Sequence, residues 1–134
     1  MTLRVYGRVV SPQVLTDEDL AQMPSPEEAV DGVVGSAVAA RHVLARAEPD
    51  SEATHCTVIA TGGSYRASIP LADLEAGGWL SYAVDGGPLP AAVGGPYRLI
   101  VAGGATLCWN VKEVAELKLT AGREPDDVPA EPTH

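Results

Sequence analysis

The sequence predicts an α+β domain, a mixed β-sheet carrying short helices. Three observations lead there. Segments such as "TLRVYGRVV" and "HCTVIA" are rich in β-branched residues, and the first of them alternates apolar with polar positions, the period of a half-buried strand. "ATGGSY" between two such segments has the turn chemistry of a hairpin. "LTDEDLAQMP" and "PLADLEAGG" are short and bounded by helix start and stop signals. Strands joined by hairpins and interrupted by short helices fit one mixed sheet rather than a regular βαβ succession.

The elements follow in order. "TLRVYGRVV" opens as a strand. Thr16 is placed as an N-cap with Asp19 three residues on, close to a capping box, and Pro24 closes that helix. Residues 24–32, "PSPEEAVDG", read as a loop. In "VVGSAVAARHVLARA", Val34, Val38, Val43 and Ala45 fall near helical spacing, with Arg46 in the last turn before Pro49, so a second helix is expected there. "HCTVIATGGSYRASIPL" is the hairpin, and "PLADLEAGG" a third helix ended by glycines. "WLSYAV" is a strand leading into a turn-rich loop; residues 97–102 and 107–119 supply the last two strand-like segments. "AGREPDDVPAEPTH" is acidic, proline-rich and aperiodic, so residues 1–120 form the domain and 121–134 a disordered or loosely attached tail.

Composition narrows function. At 134 residues the chain is one domain with a modest core. Phe is absent, which leaves Val, Leu, Ile and Ala to build that core, with Trp79, Trp109 and four tyrosines as the large fillers. A formal charge of −9, from 18 acidic against 9 basic residues and without a basic cluster, argues against nucleic acid and against anionic membrane surfaces. No apolar run approaches the ~20 residues that span a bilayer. "MTLRVYGRVVSP" lacks the basic-then-apolar plan of a secretory leader, so the expected location is cytoplasmic. Cys56 and Cys108 sit in apolar surroundings and are expected as two buried thiols; no Cys/His spacing supports structural zinc.

The order of short motifs in the second half carries more. "YRASIPL", "YAVDGGPLP", "GGPYRLIVAGG" and "WNVKEVAELKL" occur in the succession of the "Y-x-A-S-I-P-L", "Y-x-x-N-G-x-P-L-P", "G-x-P-x-R-L-x-V-P-G" and "x-V-K-W-L-x-x-I-x-L" motifs. In this the chain resembles the sulfite oxidase family of molybdopterin-binding oxidoreductases, over roughly residues 3–119, with the first half weaker. The resemblance implies that family's fold and molybdopterin as the cofactor. It makes Arg98 a cofactor contact and places Asn110, Val111 and Lys112 at the pterin phosphate region. Tyr65 would belong to the substrate pocket. The histidine expected five residues before Arg98 is Val93 here.

The family's chemistry rests on a cysteine thiolate bound to molybdenum, and the resemblance places it in the loop now reading "PSPEEAVDG". No cysteine is present there, and Cys56 and Cys108 match other parts of the family. No metal ligand is therefore assigned. The plain structural readings stand beside these: Arg98 paired with a carboxylate, Lys112 a solvated charge at a strand edge, Tyr65 packed with its hydroxyl at the rim, Trp109 a core filler. His42 and His55 are general-base candidates by pKa alone, without an accompanying nucleophile elbow. Three functions remain open from sequence: a domain degenerate at the metal site that binds a small anionic or heterocyclic ligand; a metal-free enzyme using His42, His55 or Tyr65 for acid/base chemistry; and a module docking a protein partner.

Overall fold

The computed structural model of the chain describes residues 1–129. Nine strands and three α-helices run β1 (Thr2–Gly7), β2 (Gln13–Thr16), α1 (Asp17–Ala21), β3 (Ser36–Ala39), α2 (Ala40–Ala47), β4 (His55–Ala60), β5 (Arg66–Pro70), α3 (Leu71–Gly77), β6 (Gly78–Val84), β7 (Gly87–Pro88), β8 (Arg98–Val101) and β9 (Val114–Thr120). This is α+β, with one difference from expectation: the strands make two sheets, not one.

The first sheet has the order β2-β1-β9-β4-β5. It is mixed because β1 lies parallel to β9 while the other pairings are antiparallel. The second sheet is centred on β6, which pairs antiparallel with β3, β7 and β8. One core joins the two. Leu3, Val5, Val58, Ile69, Leu117 and Leu119 enter it from the first sheet, and Val38, Leu80, Leu99 and Val101 from the second. Helices α2 and α3 pack on each other and on strands of both sheets, contributing Val43, Leu44, Leu71 and Leu74 to the same core.

Local chemistry accounts for most elements. The Thr16 hydroxyl accepts the Asp19 N–H at 3.2 Å and the Asp19 carboxylate accepts the Thr16 N–H at 2.8 Å, a complete capping box over α1. The α1 end is also tied to β8, because the Tyr97 hydroxyl donates to Asp17 at 2.5 Å.

Three expectations need correction. Helix was expected through residues 33–47, yet Ser36–Ala39 is strand β3 and the helix starts at Ala40. Pairing of Val38 opposite Leu80 on β6 overrides the helix propensity of the alanines. Residues 107–119 were expected as one strand, but Leu107–Trp109 is a 3-10 turn capped by Thr106, whose hydroxyl accepts the Cys108 N–H, and β9 begins only at Val114.

The third correction is the tail. Residues 121–129 are bonded along the outer edge of β5. Asp127 N–H donates to the Arg66 carbonyl at 2.9 Å, and the Asp127 and Asp126 carboxylates accept the Arg66 and Ser68 N–H groups. Glu124 accepts from Thr57 and Lys118. The acids that made this segment look solvated are the acceptors that cap an edge strand. Residues 130–134 of the expected tail lie outside the described residues.

Candidate functional site

Strand β8 and the segment 107–113 beside it hold most of the candidate residues. Segment 110–113 lies against the side of β8 away from β6. The Asn110 side-chain oxygen accepts the Val101 N–H at 2.8 Å, and the Val111 carbonyl accepts the Leu99 N–H at 2.8 Å. Val111 is buried in the core. Asn110 and Val111 therefore extend the second sheet by a partial strand before the chain crosses into β9.

Arg98 and Lys112 come together over Gly94. A Cβ built on Gly94 would stand 2.9 Å from Arg98 Cδ and 3.2 Å from both Arg98 Cγ and Lys112 Cγ. Gly94 has φ +98°, a backbone region that an L side chain enters only with strain, and its carbonyl accepts the Glu113 N–H at 2.8 Å. The missing side chain is what lets both cationic stems converge. Among the described residues, Arg98 and Lys112 form no ion pair, whereas Arg4, Arg8, Lys118 and Arg123 each do. Arg41, Arg46 and Arg66 are also without one and are exposed, as Lys112 is; Arg98 is half-buried. The carboxylate partner expected for Arg98 on plain structural grounds is not among the described residues.

Tyr65 meets the same segment at its 3-10 turn. Its hydroxyl donates to the Cys108 carbonyl at 2.9 Å, its ring packs on the core, and burial holds its pKa above the ordinary tyrosine value. That bond anchors the 3-10 turn to the start of β5. Trp109 packs partly buried on the same core. His55 is bonded through Nδ1 to the Thr54 hydroxyl at 2.9 Å, and His42 lines a cleft of about 580 Å³ with Arg41, Trp79 and the loop 24–30. A second cleft, also about 580 Å³, opens on the outer face of the first sheet. Its polar groups pair with each other: Tyr6 with Glu116, Arg4 with Glu116, Lys118 and Thr57 with Glu124. Arg66 lines this cleft too and forms no ion pair among the described residues.

Cys56 lies fully buried on β4, where burial pushes its thiol far above the ordinary range, the reverse of what a metal-binding thiolate needs. Cys108 is buried in the 3-10 turn. Among the described residues, no group of three or more His, Cys, Asp or Glu side chains is placed to hold a metal ion.

The model of the oxidoreductase molybdopterin-binding domain family matches residues 35–127, 93 of the 134 residues. The chain belongs to that family. In structure the chain is similar to the sulfane dehydrogenase SoxCD from Paracoccus pantotrophus, which superposes with a TM-score of 0.73 at 22% sequence identity. The match covers 91% of this chain and 38% of the SoxCD chain, so the chain spans well under half of that protein's length. No curated protein matches the sequence. Within the family match fall Tyr65, Arg98, Asn110, Val111 and Lys112. No helix among the described residues is long and apolar enough to cross a membrane.

Gly94 escaped sequence reading as a site residue because "VGGPY" looks like any turn; only its contact with two cationic stems gives it a role.

Proposed function

We propose that this chain is an anion-binding member of its family, holding the oxyanion of a small heterocyclic ligand between Arg98 and Lys112, and that it does not supply a metal ligand for molybdenum redox chemistry. One observation carries the reading: the stems of half-buried Arg98 and exposed Lys112 converge over Gly94, neither cation with a counter-ion among the described residues, in a chain of net charge −9. A desolvated cation without a carboxylate favours an external anion, and Arg matches phosphate geometry through paired N–H donors.

The residues fit one end of molybdopterin and not the other. Arg98 and Lys112 suit its phosphate, and the backbone of 110–112 lies beside them. When bound, the metal of that cofactor supplies redox chemistry, which in this family calls for a cysteine thiolate; the loop 24–32 contains no cysteine and Cys56 is sealed in the core with a raised pKa. Tyr65, spent on the Cys108 carbonyl, serves as a strut for the site.

The deciding experiment is pterin fluorescence and molybdenum content of protein purified from its own host. Bound pterin without stoichiometric molybdenum supports the proposal. Stoichiometric molybdenum overturns its metal-free part. If neither is found, an R98A/K112A double variant that binds inorganic phosphate as well as the parent protein would remove the anion site too.

The alternative of a protein partner draws on Val14, 64% exposed on edge strand β2, and Val10, 69% exposed in the turn before it. Its test is whether V10D or V14D abolishes capture of a partner from the host.

A further inference from the structure

The outer face of the second sheet carries a row of polar groups that only the strand register reveals. Ser81 on β6 stands opposite Ala37 on β3 and opposite Arg98 on β8. Directly opposed residues share a face of a sheet. Lys112 continues the row beyond β8, since its stem meets that of Arg98 over Gly94. Adjacent strands lie about 4.8 Å apart, so the backbone positions of Ser81, Arg98 and Lys112 follow one another across roughly 10 Å. The neighbouring row, Ala39, Trp79 and Ile100, is apolar.

Ser81 is the unusual member. It is 0% exposed, and its Oγ is the one buried side-chain polar atom among the described residues with no hydrogen-bond partner. Leaving a buried hydroxyl unbonded costs stability, and replacing it with a methyl would remove that cost. Ala37, Ala39 and Ile100 are buried on this same outer face, although none belongs to the main core cluster.

What covers them is the loop 24–35. Gly32 lies against Ile100, with a Cβ there 3.7 Å from two of its side-chain carbons. The stretch 25–30 walls the cleft at Trp79 and a second, of about 400 Å³, at Ser36 and Ala37. Among the described residues, the only hydrogen bond made by residues 24–34 is internal, from the Val33 N–H to the Val30 carbonyl at 3.1 Å. Glu27, Glu28 and Asp31 make no ion pair with Arg98 or Lys112. The loop thus rests on the sheet through apolar contact, without a polar tether.

We infer that Ser81 is a ligand-binding residue and that loop 24–35 is the lid over it. With the lid raised, Ser81, Arg98 and Lys112 form one continuous donor row beside an apolar floor that includes Trp79. Such a surface takes a flat organic oxyanion: its charged group rests on Arg98 and Lys112, a polar atom about 5 Å away bonds Ser81, and its ring lies over the Trp79 row. This rests on the anion reading above and adds to it a specificity residue and a gate. Because binding requires the open lid, the apparent affinity is reduced by the fraction of molecules that are open.

The test uses the full chain and phenyl phosphate, with inorganic phosphate as the ringless comparison, by isothermal titration calorimetry. S81A is expected to weaken phenyl phosphate binding about tenfold while leaving Tm unchanged or raised, because it deletes a hydroxyl that bonds nothing in the lid-down state. Replacing residues 25–33 with three glycines is expected to tighten binding severalfold. An S81A variant with parental affinity overturns the role of Ser81, and a loop-shortened protein with parental affinity overturns the lid. If R98A/K112A loses phosphate binding while S81A keeps full affinity for phenyl phosphate, the anion site stands and this inference falls. If neither probe binds the parent or the loop-shortened protein, both fall together.

Discussion

Removing the Asp126 carboxylate should destabilise the domain through the edge of β5 rather than through Arg98 or Lys112. Asp126 Oδ2 accepts the Ser68 N–H at 2.6 Å; the Asp126 side chain is 2% exposed and Ser68 3%. D126A would leave that backbone donor buried without an acceptor, and bonds to charged groups of this kind are worth about 1.5–3 kcal/mol. Taking about 2 kcal/mol and an m-value of about 1.5 kcal/mol per M in urea, the midpoint should fall by roughly 1.3 M at unchanged slope. Urea unfolding followed by tryptophan fluorescence reads this through Trp79 and Trp109. D127A is the internal control: that carboxylate also accepts a β5 N–H, from Arg66, but at an exposed position. Water can replace it there, so its loss should be under about 1 kcal/mol. Equal midpoints for D126A and the parent, within about 0.3 M, would refute the argument that segment 121–129 is part of the folded unit.

Three other outcomes are expected. G94A should cost about 1–2 kcal/mol for the positive φ and weaken phosphate binding as its Cβ displaces the Arg98 stem, measured by thermal melts and calorimetry. Y97F should lose about 1–2 kcal/mol at neutral pH. Burial and the bond to Asp17 raise the Tyr97 pKa above its unfolded value, so this contribution is complete below pH about 10 and is lost as pH rises beyond it; Y97F should show a flatter alkaline limb in melts taken from pH 9 to 12. Glu124 has the opposite sign. Bonds from Lys118 and Thr57 lower its pKa, so its contribution is present above the unfolded value, about 4.3, and disappears as pH falls through the lower folded value; E124Q should flatten the acid limb below that point.

What the sequence made legible was local. Thr16 and Asp19 announce a capping box because both partners lie within one turn, and the glycines of "TGGS" announce the β4–β5 hairpin for the same reason. What it hid depended on distant partners. "SAVA" becomes a strand only because β6 is there to pair with it, and "CWN" becomes a 3-10 turn because Asn110 has its own acceptor role at Val101. At the site, Arg98 and Lys112 were readable from motif order. Gly94 and Ser81 were not, since their importance comes from which side chains stand opposite them. The acids at 124, 126 and 127 read as part of a tail because nothing nearby in sequence shows the free β5 edge that Asp126 and Asp127 cap, or the Thr57 and Lys118 side chains that Glu124 meets.

The position of β9 has a consequence for how the protein is made. It is the last strand among the described residues, yet it sits in the middle of the first sheet, with β1 on one side and β4 on the other. On a ribosome, the β1–β2 and β4–β5 hairpins emerge first and wait, each with an open inner edge, for a strand that is made well after them. Pairings between such remote segments close slowly, and waiting edges invite other chains. Synthesis therefore leaves this domain a long interval as two half-sheets in search of a centre, and a stalled or shortened product ending before Val114 would stay in that state.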